Sequence, residues 1–587
     1  MSTRRVQSSA IKPRTLGTAV TPWVRNPSWR ALTAVGSSEE KFAGIVAVFP
    51  QSSYLALSAA GNYTVDWGDG TTANVNTGVT ANKLYDFNDV DLANTNAPVT
   101  LTDAGDLVER TAHGYSNGME VRFYNIVSTT GLTEAQTYYV ISATANDFQV
   151  AATVGGSAIA LSTNGSATLL PYKQAIVTVT PNGGTLTSIN INVKNTTSGL
   201  QAYETGWLDI EVGSPNFTSI TLGGSNVRFA MCERAAVRSF GSDTNQSSLF
   251  ENFRELQEVV LGDTSSITNM NSMFRECFSL VTVPLFNTAA CTTMDGMFFF
   301  CRSLVHVPLF NTAAVTVMSN MFRDCRSLTA VPLFNTAAVQ YMTSMFQDCS
   351  ALTTVPLFNT AAVIAMGLMF QGCSSLTTVP LFNTAAVTAM NQMFLECRSL
   401  TSVPLFNMSA CLTTASMFHT CVSLTAVPLF NTAACTNMGQ MFNGCRALAT
   451  VPLLNTAAAT DVALMFIFCS SLTTIPLFNT AAATTTNSML RECFSLSSVP
   501  ALNVSAVSSS GNFTNMFQNC NSLSRIQASN FRFTFSVANC KLGATELNEI
   551  YTNLPVVVGQ TITVSNNVGT TGDDPTIATA KGWTVTG

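Results

Sequence analysis

Apolar and polar positions recur along this chain with a 24-residue step over almost half its length. Cysteines fall at Cys277, Cys301, Cys325, Cys349, Cys373, Cys397, Cys421, Cys445, Cys469 and Cys493. Prolines keep the step from Pro284 to Pro500, asparagines from Asn287 to Asn503, and methionines from Met273 to Met489. The unit reads M-F-x-x-C-x-S-L-x-x-V-P-L-F-N-T-A-A-x-x-x-M-x-x. An imperfect copy precedes it at Leu249–Phe250, with Phe253 in the Cys place, and another follows at Met516–Phe517–Cys520. A fixed period of this length predicts a solenoid of about a dozen coils over residues 249–526. One coil cannot bury its own apolar side, and stacking on its neighbours does so.

Within the unit, Leu280-x-x-Val283-x-Leu285 has the register of a short strand. Residues two apart on a strand share a face, so Val283 and Leu285 point inward while Pro284 and Phe286 point outward. A proline on every rung removes a ladder donor, which predicts very short strands. The M-F-x-x-C segment turns back over the core and places Phe274 and Cys277 inside. On this register Phe286, Phe310, Phe334, Phe358, Phe382, Phe406, Phe430 and Phe478 form an exposed hydrophobic stripe, with Leu454 in the place between the last two. A stripe of that size contacts another subunit or domain, or stacks on the sugar rings of a receptor. Alternatively, a tight turn at Pro284 rotates Phe286 back into the core. The sequence leaves both readings open.

Ahead of the array the pattern changes to short alternating runs. "GNYTVDWGDGTTANV" reads as strand, Asp-Gly turn, strand, and "YKQAIVTVTP" at 172–181 supplies a later partner strand. The expected organisation is a sandwich over 39–94 and 171–181, interrupted by a small inserted β domain over 95–170. Residues 182–248, with strands at "SININV" and "TSITLG", read as the opening cap of the solenoid, and 527–587 as its closing cap, because a terminal coil needs a polar outer face. In the closing cap a helix over 546–553 is expected, with Thr545 as its N-cap and Leu547, Ile550 and Tyr551 on one side. Strand, short helix and strand follow.

The repeat resembles the BspA-like leucine-rich repeats, in the variant built on "MF-x-x-C-x-SL" followed by "N-T-A-x-V". Trp67 to Gly70, W-G-D-G, resembles the mark of PKD-type immunoglobulin-like domains. The stretch around "GLTEAQTYYVISATANDFQVAAT" is similar to a small β module of phage fibre and appendage proteins. The C-terminal tail resembles the closing segment of leucine-rich phage and bacterial surface proteins. Together these imply a mainly β fold: a leucine-rich-repeat solenoid of 24-residue coils, preceded by an immunoglobulin-like β-sandwich with an inserted small β domain. The resemblance also implies adhesion or recognition.

Composition narrows the picture. Only 10% of the 587 residues are charged and 47% are hydrophobic, against roughly 25% charged in ordinary soluble proteins. No apolar run approaches the roughly 18 residues a spanning helix needs, so membrane insertion is not expected. Disorder is excluded by 37 Phe. The low charge belongs to the array, whose Thr, Asn and Ala rows stack without like-charge ladders. The net charge of −6 hides a basic start: residues 1–35 contain Arg4, Arg5, Lys12, Arg14, Arg25 and Arg30 and no acid. Residues 1–38 therefore read as an extended basic docking arm or as a plain disordered tail. The charge density is too low to predict specific nucleic-acid binding, and no apolar stretch follows the arginines to make a secretory signal.

Candidate chemistry is sparse. Three histidines occur, His113, His306 and His419, and the last two occupy variable places of the repeat. No G-x-S-x-G, H-E-x-x-H or phosphate-loop motif is present, so no catalytic residue, cofactor or metal is expected. The cysteines lack zinc-ligand spacing. Equally spaced in-register thiols have no privileged disulfide partner, so the ten array cysteines are expected to be free, buried and structural. Free thiols suit folding in a reducing cytoplasm. Asp66, Asp69 and Asp86 are candidates for calcium or for turn chemistry.

The expected function is that of a phage virion protein, an appendage or fibre-like adhesin assembled in the host cytoplasm. Its arm and β domains would contact other virion proteins, and its solenoid a host receptor or glycan through the Phe row and variable places such as Arg302, Arg326 and His419. A capsid decoration or collar protein, or a bacterial surface adhesin, is the alternative. Whether the chain is a homo-oligomer is left open.

Overall fold

The computed structural model describes residues 23–587, except 27–28, 50–52, 88–92, 95–96, 112–114, 116, 118–119, 130, 135, 154, 171, 196–202, 510, 512, 514 and 528–529. It divides into two compact units, Met1–Ala290 with Phe300–Leu304, and Cys291–Phe299 with Val305–Gly587. Among the described residues no helix is long and apolar enough to cross a membrane.

The first unit opens with a β-sandwich. Its early strands are β1 (Lys41–Val48), β2 (Ser53–Ala60), β3 (Tyr63–Asp66), β4 (Thr72–Val75) and β5 (Thr80–Tyr85). One sheet takes the order Glu258–Leu261, Arg234–Val237, Trp207–Gly213, β1, Lys173–Pro181, β3, β4; the other is Ser219–Thr221, Ser188–Asn190, β2, β5. Alternation decides the faces: Ala175, Val177 and Val179 of one strand are all buried. Gly44 lies against the Trp207 ring, where any side chain would overlap it, and Phe42 meets that ring edge-on at 5.2 Å. In sequence between β5 and Lys173–Pro181, six strands close into a barrel. Leu101, Phe123, Tyr138, Val140, Phe148 and Leu169 fill it. Closure removes its sheet edges.

The Trp207–Gly213 strand joins the sandwich to the first coils. It runs antiparallel to β1 on one side and parallel to Arg234–Val237 on the other, which in turn pairs in parallel with Glu258–Leu261. Within the expected opening cap, the strands Trp207–Gly213 and Arg234–Val237 thus continue one sandwich sheet into the first rung at Glu258–Leu261 instead of presenting a polar end.

In the second unit each coil repeats one plan. Parallel bridges link Thr293, Val317, Tyr341, Ala365, Ala389, Thr413, Asn437, Asp461 and Thr485 in succession. The repeating ladder therefore lies beside the Met positions and not at the expected L-x-x-V-P-L register, where hydrogen bonds between coils are few and long, as from Thr377 N to Thr353 O at 3.5 Å. Proline explains the gap, because it offers that edge no donor. Phe370 stacks on Phe346 and Phe394 at 5.7 and 5.6 Å, in a column that runs from Phe298 to Phe466. The N-T pair has two jobs. Asn383 Oδ1 accepts from Ala385 N–H within the turn, while the buried Thr384 hydroxyl donates to Asn407 O of the next coil at 2.8 Å.

The array ends in further short parallel strands, Ser498–Val499 with Arg525–Ile526, then Phe535–Ser536, Gln560–Thr563 and Trp583–Thr586. Helix α1 (Ala544–Asn553) buries Leu547, Ile550 and Tyr551, and α2 (Thr576–Thr579) precedes the last strand. Thr545 is not the cap of α1; it sits inside the first turn, behind Gly543.

Candidate binding surface

Each coil reverses direction around the M-F-x-x-C segment, and two left-handed residues make the reversal. The residue before Met (Asn320, Ser344, Leu368, Gln392) has φ of 55, 57, 61 and 56°. The residue before Cys (Asp324, Asp348, Gly372, Glu396) has 60, 60, 72 and 60°. Left-handed backbone is costly for residues with a Cβ, so something must hold it. Backbone bonds to the next coil do: Asp324 N–H to Gln347 O at 2.7 Å, Glu396 N–H to His419 O at 2.8 Å. The Phe row and the Cys row pack beneath. The result is a rigid edge whose outward side chains change from coil to coil.

That edge carries most of the array's charge. In the first unit Arg254 and Arg302 lie over the Phe278 ring at 5.2 and 5.1 Å, and Arg254 pairs with Glu276 at 3.6 Å. In the second, Arg323 lies over Phe299 at 5.1 Å, Arg326 holds Asp324 at 2.7 Å, and Arg398 holds Glu396 at 3.2 Å. Burial, and then repulsion from Asp324, push the Asp348 carboxyl up, with Arg323 and Arg326 pulling the other way. Burial lowers the His419 imidazole, and the Glu396 charge opposes it. Among the described residues no group of three His, Cys, Asp or Glu is placed to hold a metal ion.

The sequence-derived candidates fall into three sets. Arg302 takes this place in a coil of the first unit and is half-buried; Arg326, exposed, and His419, half-buried, lie on the edge of the second. The Phe row does not lie on any surface. Phe286, Phe310, Phe334, Phe358, Phe382, Phe406, Phe430 and Phe478 are buried, and the neighbouring leucines are exposed instead. The cause is a three-residue turn: Phe310 N–H donates to Pro308 O at 3.0 Å, and the same bond recurs at Phe334, Phe358, Phe382 and Phe406. Leu309 sits at its apex and points out. Phe310 swings in against Phe298, at 6.3 Å between ring centres. The exposed row Leu309, Leu333, Leu357, Leu381, Leu405, Leu429, Leu453 and Leu477 is what sequence reasoning missed. Its signal was the proline before each leucine, which breaks strand alternation.

All sixteen cysteines are free and buried. In the ladder each thiol donates to a Phe carbonyl of the preceding coil, as Cys325 to Phe298 O at 3.1 Å and Cys397 to Phe370 O at 3.0 Å. Cys291, Cys411 and Cys435 take the buried place that Val315, Val339 and Val363 fill in other coils, which is the packing role of a small hydrophobe.

Turn chemistry occupies two of the candidate calcium ligands. Asp66 accepts from Gly68 N–H at 2.9 Å, and Asp69 accepts from Thr71 and pairs with Lys83. Asp86 has interactions of its own. Of the arm, Arg4, Arg5 and Arg14 lie outside the described residues, as does His113, while His306 is exposed. Arg25 is not free to dock elsewhere. It pairs with the buried Asp209 at 3.1 Å, Trp23 Nε1 donates to Glu233 at 3.1 Å, and Arg30 N–H donates to Gln174 at 2.7 Å. The described end of the arm lies along its own sandwich because acids from distant strands meet it there.

The family described as "Mycoplasma protein of unknown function, DUF285" matches residues 244–355, 329–429, 353–453 and 415–531, just under half of the chain. No curated protein matches it in sequence. Among solved structures, a leucine-rich cell surface protein of Faecalibacterium prausnitzii is similar at 17% identity, covering 50% of this chain and 89% of its own, with a TM-score of 0.26. A leucine-rich repeat protein of Eubacterium ventriosum gives 13%, 57%, 90% and 0.26. The functional domain of InlJ from Listeria monocytogenes, which includes a cysteine ladder, gives 12%, 55%, 72% and 0.20. The leucine-rich-repeat fold of this chain rests on its own coil geometry and not on scores of this size.

Proposed function

We propose that this chain is a surface-displayed binding protein whose solenoid edge recognises another macromolecule, and that it is not an enzyme. One observation carries this reading. The edge backbone is locked by paired left-handed residues, while the place after each ladder Cys, buried in none of these coils, holds Arg326, Ser350, Ser374, Arg398, Val422 and Arg446 in succession. A rigid frame with changing side chains suits protein recognition, where arginine and aromatic anchors dominate the energy.

The setting we propose is a phage appendage or fibre-like adhesin with a PKD-type sandwich, whose N-terminal β domains sit on other virion proteins and whose partner is a host surface protein or glycan. A bacterial surface adhesin is the second setting, and it suits the kind of proteins whose structures are similar. A collar or capsid decoration protein is the third. Binding of the full chain to intact host cells tests the reading. Arg323→Ala, Arg326→Ala and Arg398→Ala together should abolish binding while leaving thermal unfolding unchanged. No binding of the unaltered chain at micromolar concentration, or undiminished binding by the triple variant, refutes it. Imaging intact particles and cells then separates the three settings.

A further inference from the structure

We infer that the leucine row of the second unit is a self-association face, and that a second copy of this chain covers it. Leu309, Leu333, Leu357, Leu381, Leu405, Leu429, Leu453 and Leu477 are each between 57 and 60% exposed. A leucine so exposed presents on the order of 100 Å², so eight present roughly 800 Å², about the share each partner contributes to a standard stable interface. That exceeds the largest apolar patch usual on a monomer.

Three observations choose the occupant. First, no Asp, Glu, Lys or Arg occurs in residues 304–316, 328–340, 352–364, 376–388, 400–412, 424–436, 448–460 or 472–484, the stretch of each coil that bears the leucine. Two identical faces can therefore meet without repulsion, and a charged partner finds nothing to pair with. Second, evenly spaced identical ridges are complementary to themselves. Under a two-fold axis each leucine drops between two of the facing row, which closes the assembly. Third, the row does not drift. The exposed place two residues before proline reads His306, Ala330, Thr354, Thr378, Ser402, Ala426, Thr450 and Thr474, while the exposed place after proline stays Leu across the same coils. Copying alone would have left both places equally free to change. The turn also pre-sets each ridge, since Pro308 fixes the backbone before Leu309 and the Phe310 N–H bond closes it at 3.0 Å. Little freedom is lost when the faces meet.

The test uses the full chain, by light scattering after gel filtration and by sedimentation over a concentration series. The unaltered protein should run as two chains at micromolar concentration. Each of Leu357→Asn, Leu381→Asn and Leu405→Asn should weaken the dimer about tenfold, and the triple variant should be monomeric with unchanged thermal unfolding. Arg326→Gln with Arg398→Gln, both exposed on the other edge, should remain dimeric. A monomer throughout the series, or a triple variant that still dimerises, overturns the proposal. If the triple variant fails to fold, Asn383→Cys replaces it. All native thiols are buried, so a bis-maleimide should join two Asn383→Cys chains. Cross-linking no greater than in Asn443→Cys, on the opposite edge, also overturns the proposal.

Discussion

The Cys373 thiol donates to the Phe346 carbonyl oxygen at 3.0 Å, across one coil boundary, and the same oxygen accepts the Cys349 N–H at 3.1 Å. Both lone pairs of a fully buried carbonyl are thereby used, one by its own coil and one by the next. Cys373→Ala removes the second donor and leaves a small void. It should cost about 1–2 kcal/mol. Cys373→Ser keeps a donor in place and should cost less than Cys373→Ala. Urea denaturation of the two variants side by side checks the order, and a serine variant weaker than the alanine one would show that packing alone matters there.

Burial should also silence these thiols. Cys373, Cys397 and Cys445 are pushed well above the ordinary thiol value by loss of solvent, with neighbouring thiols adding to the effect. The thiolate is the reactive form. Native protein at pH 8 should therefore take up almost no maleimide or Ellman reagent, while denatured protein should react at all sixteen cysteines. Reduction of the native protein should leave its mass unchanged. Rapid native labelling of several thiols would refute the ladder.

Leu357 and Phe358 are adjacent, yet they are 59% and 2% exposed. Phe358 stacks on Phe346 at 6.2 Å and Phe382 at 6.4 Å. Phe358→Ala should cost about 3–5 kcal/mol through the cavity it leaves. Leu357→Ala should change monomer stability by no more than about 0.5 kcal/mol. Thermal melts of the pair decide it: equal losses would mean the turn does not invert these side chains.

Periodicity made the coil legible because the buried Met, Phe, Cys and Leu places tolerate few alternatives, and the 24-residue step repeats them without interruption. The orientation of Leu357 and Phe358 was not legible, because both are apolar and a strand register assigns them by parity. The Phe358 N–H bond to Pro356 O at 3.0 Å breaks that parity; the proline made such a turn one of two open readings, and the geometry selects it. The candidate edge was half legible. Variable places such as Arg326 and His419 stand out against the repeat, but the left-handed residues beside them do not, since Asp324, Asp348 and Glu396 occupy the conformation as Gly372 does. Arg25 misled for another reason. A basic N-terminal arginine reads as solvent-facing, and its partner Asp209 lies 184 residues away in sequence.

Glu211 offers the sharpest pH test. Burial alone would raise its carboxyl, but the Val35 N–H, Arg234 and Arg238 outweigh that and hold it below the ordinary value of 4.5. Arg234 lies 2.6 Å from it and Arg238 3.0 Å, while Arg234 also reaches Asp209 at 2.8 Å. A carboxyl depressed by folding contributes its full stability above the unfolded value and loses it as pH falls through the lower, folded one. Glu233 works in the opposite sense, because burial raises it despite its bond from Trp23, so the melting curve of the unaltered protein mixes the two. The difference between the unaltered protein and Glu211→Gln isolates Glu211. At pH 7 the variant should be weaker by about 3 kcal/mol, since two half-buried guanidinium groups lose the charge of a buried partner. Below pH 4.5 the gap should narrow steadily, because protonation then removes the same charge from the unaltered chain. A gap that stays constant to pH 3 would mean that Glu211 holds this part of the sheet by shape and not by charge.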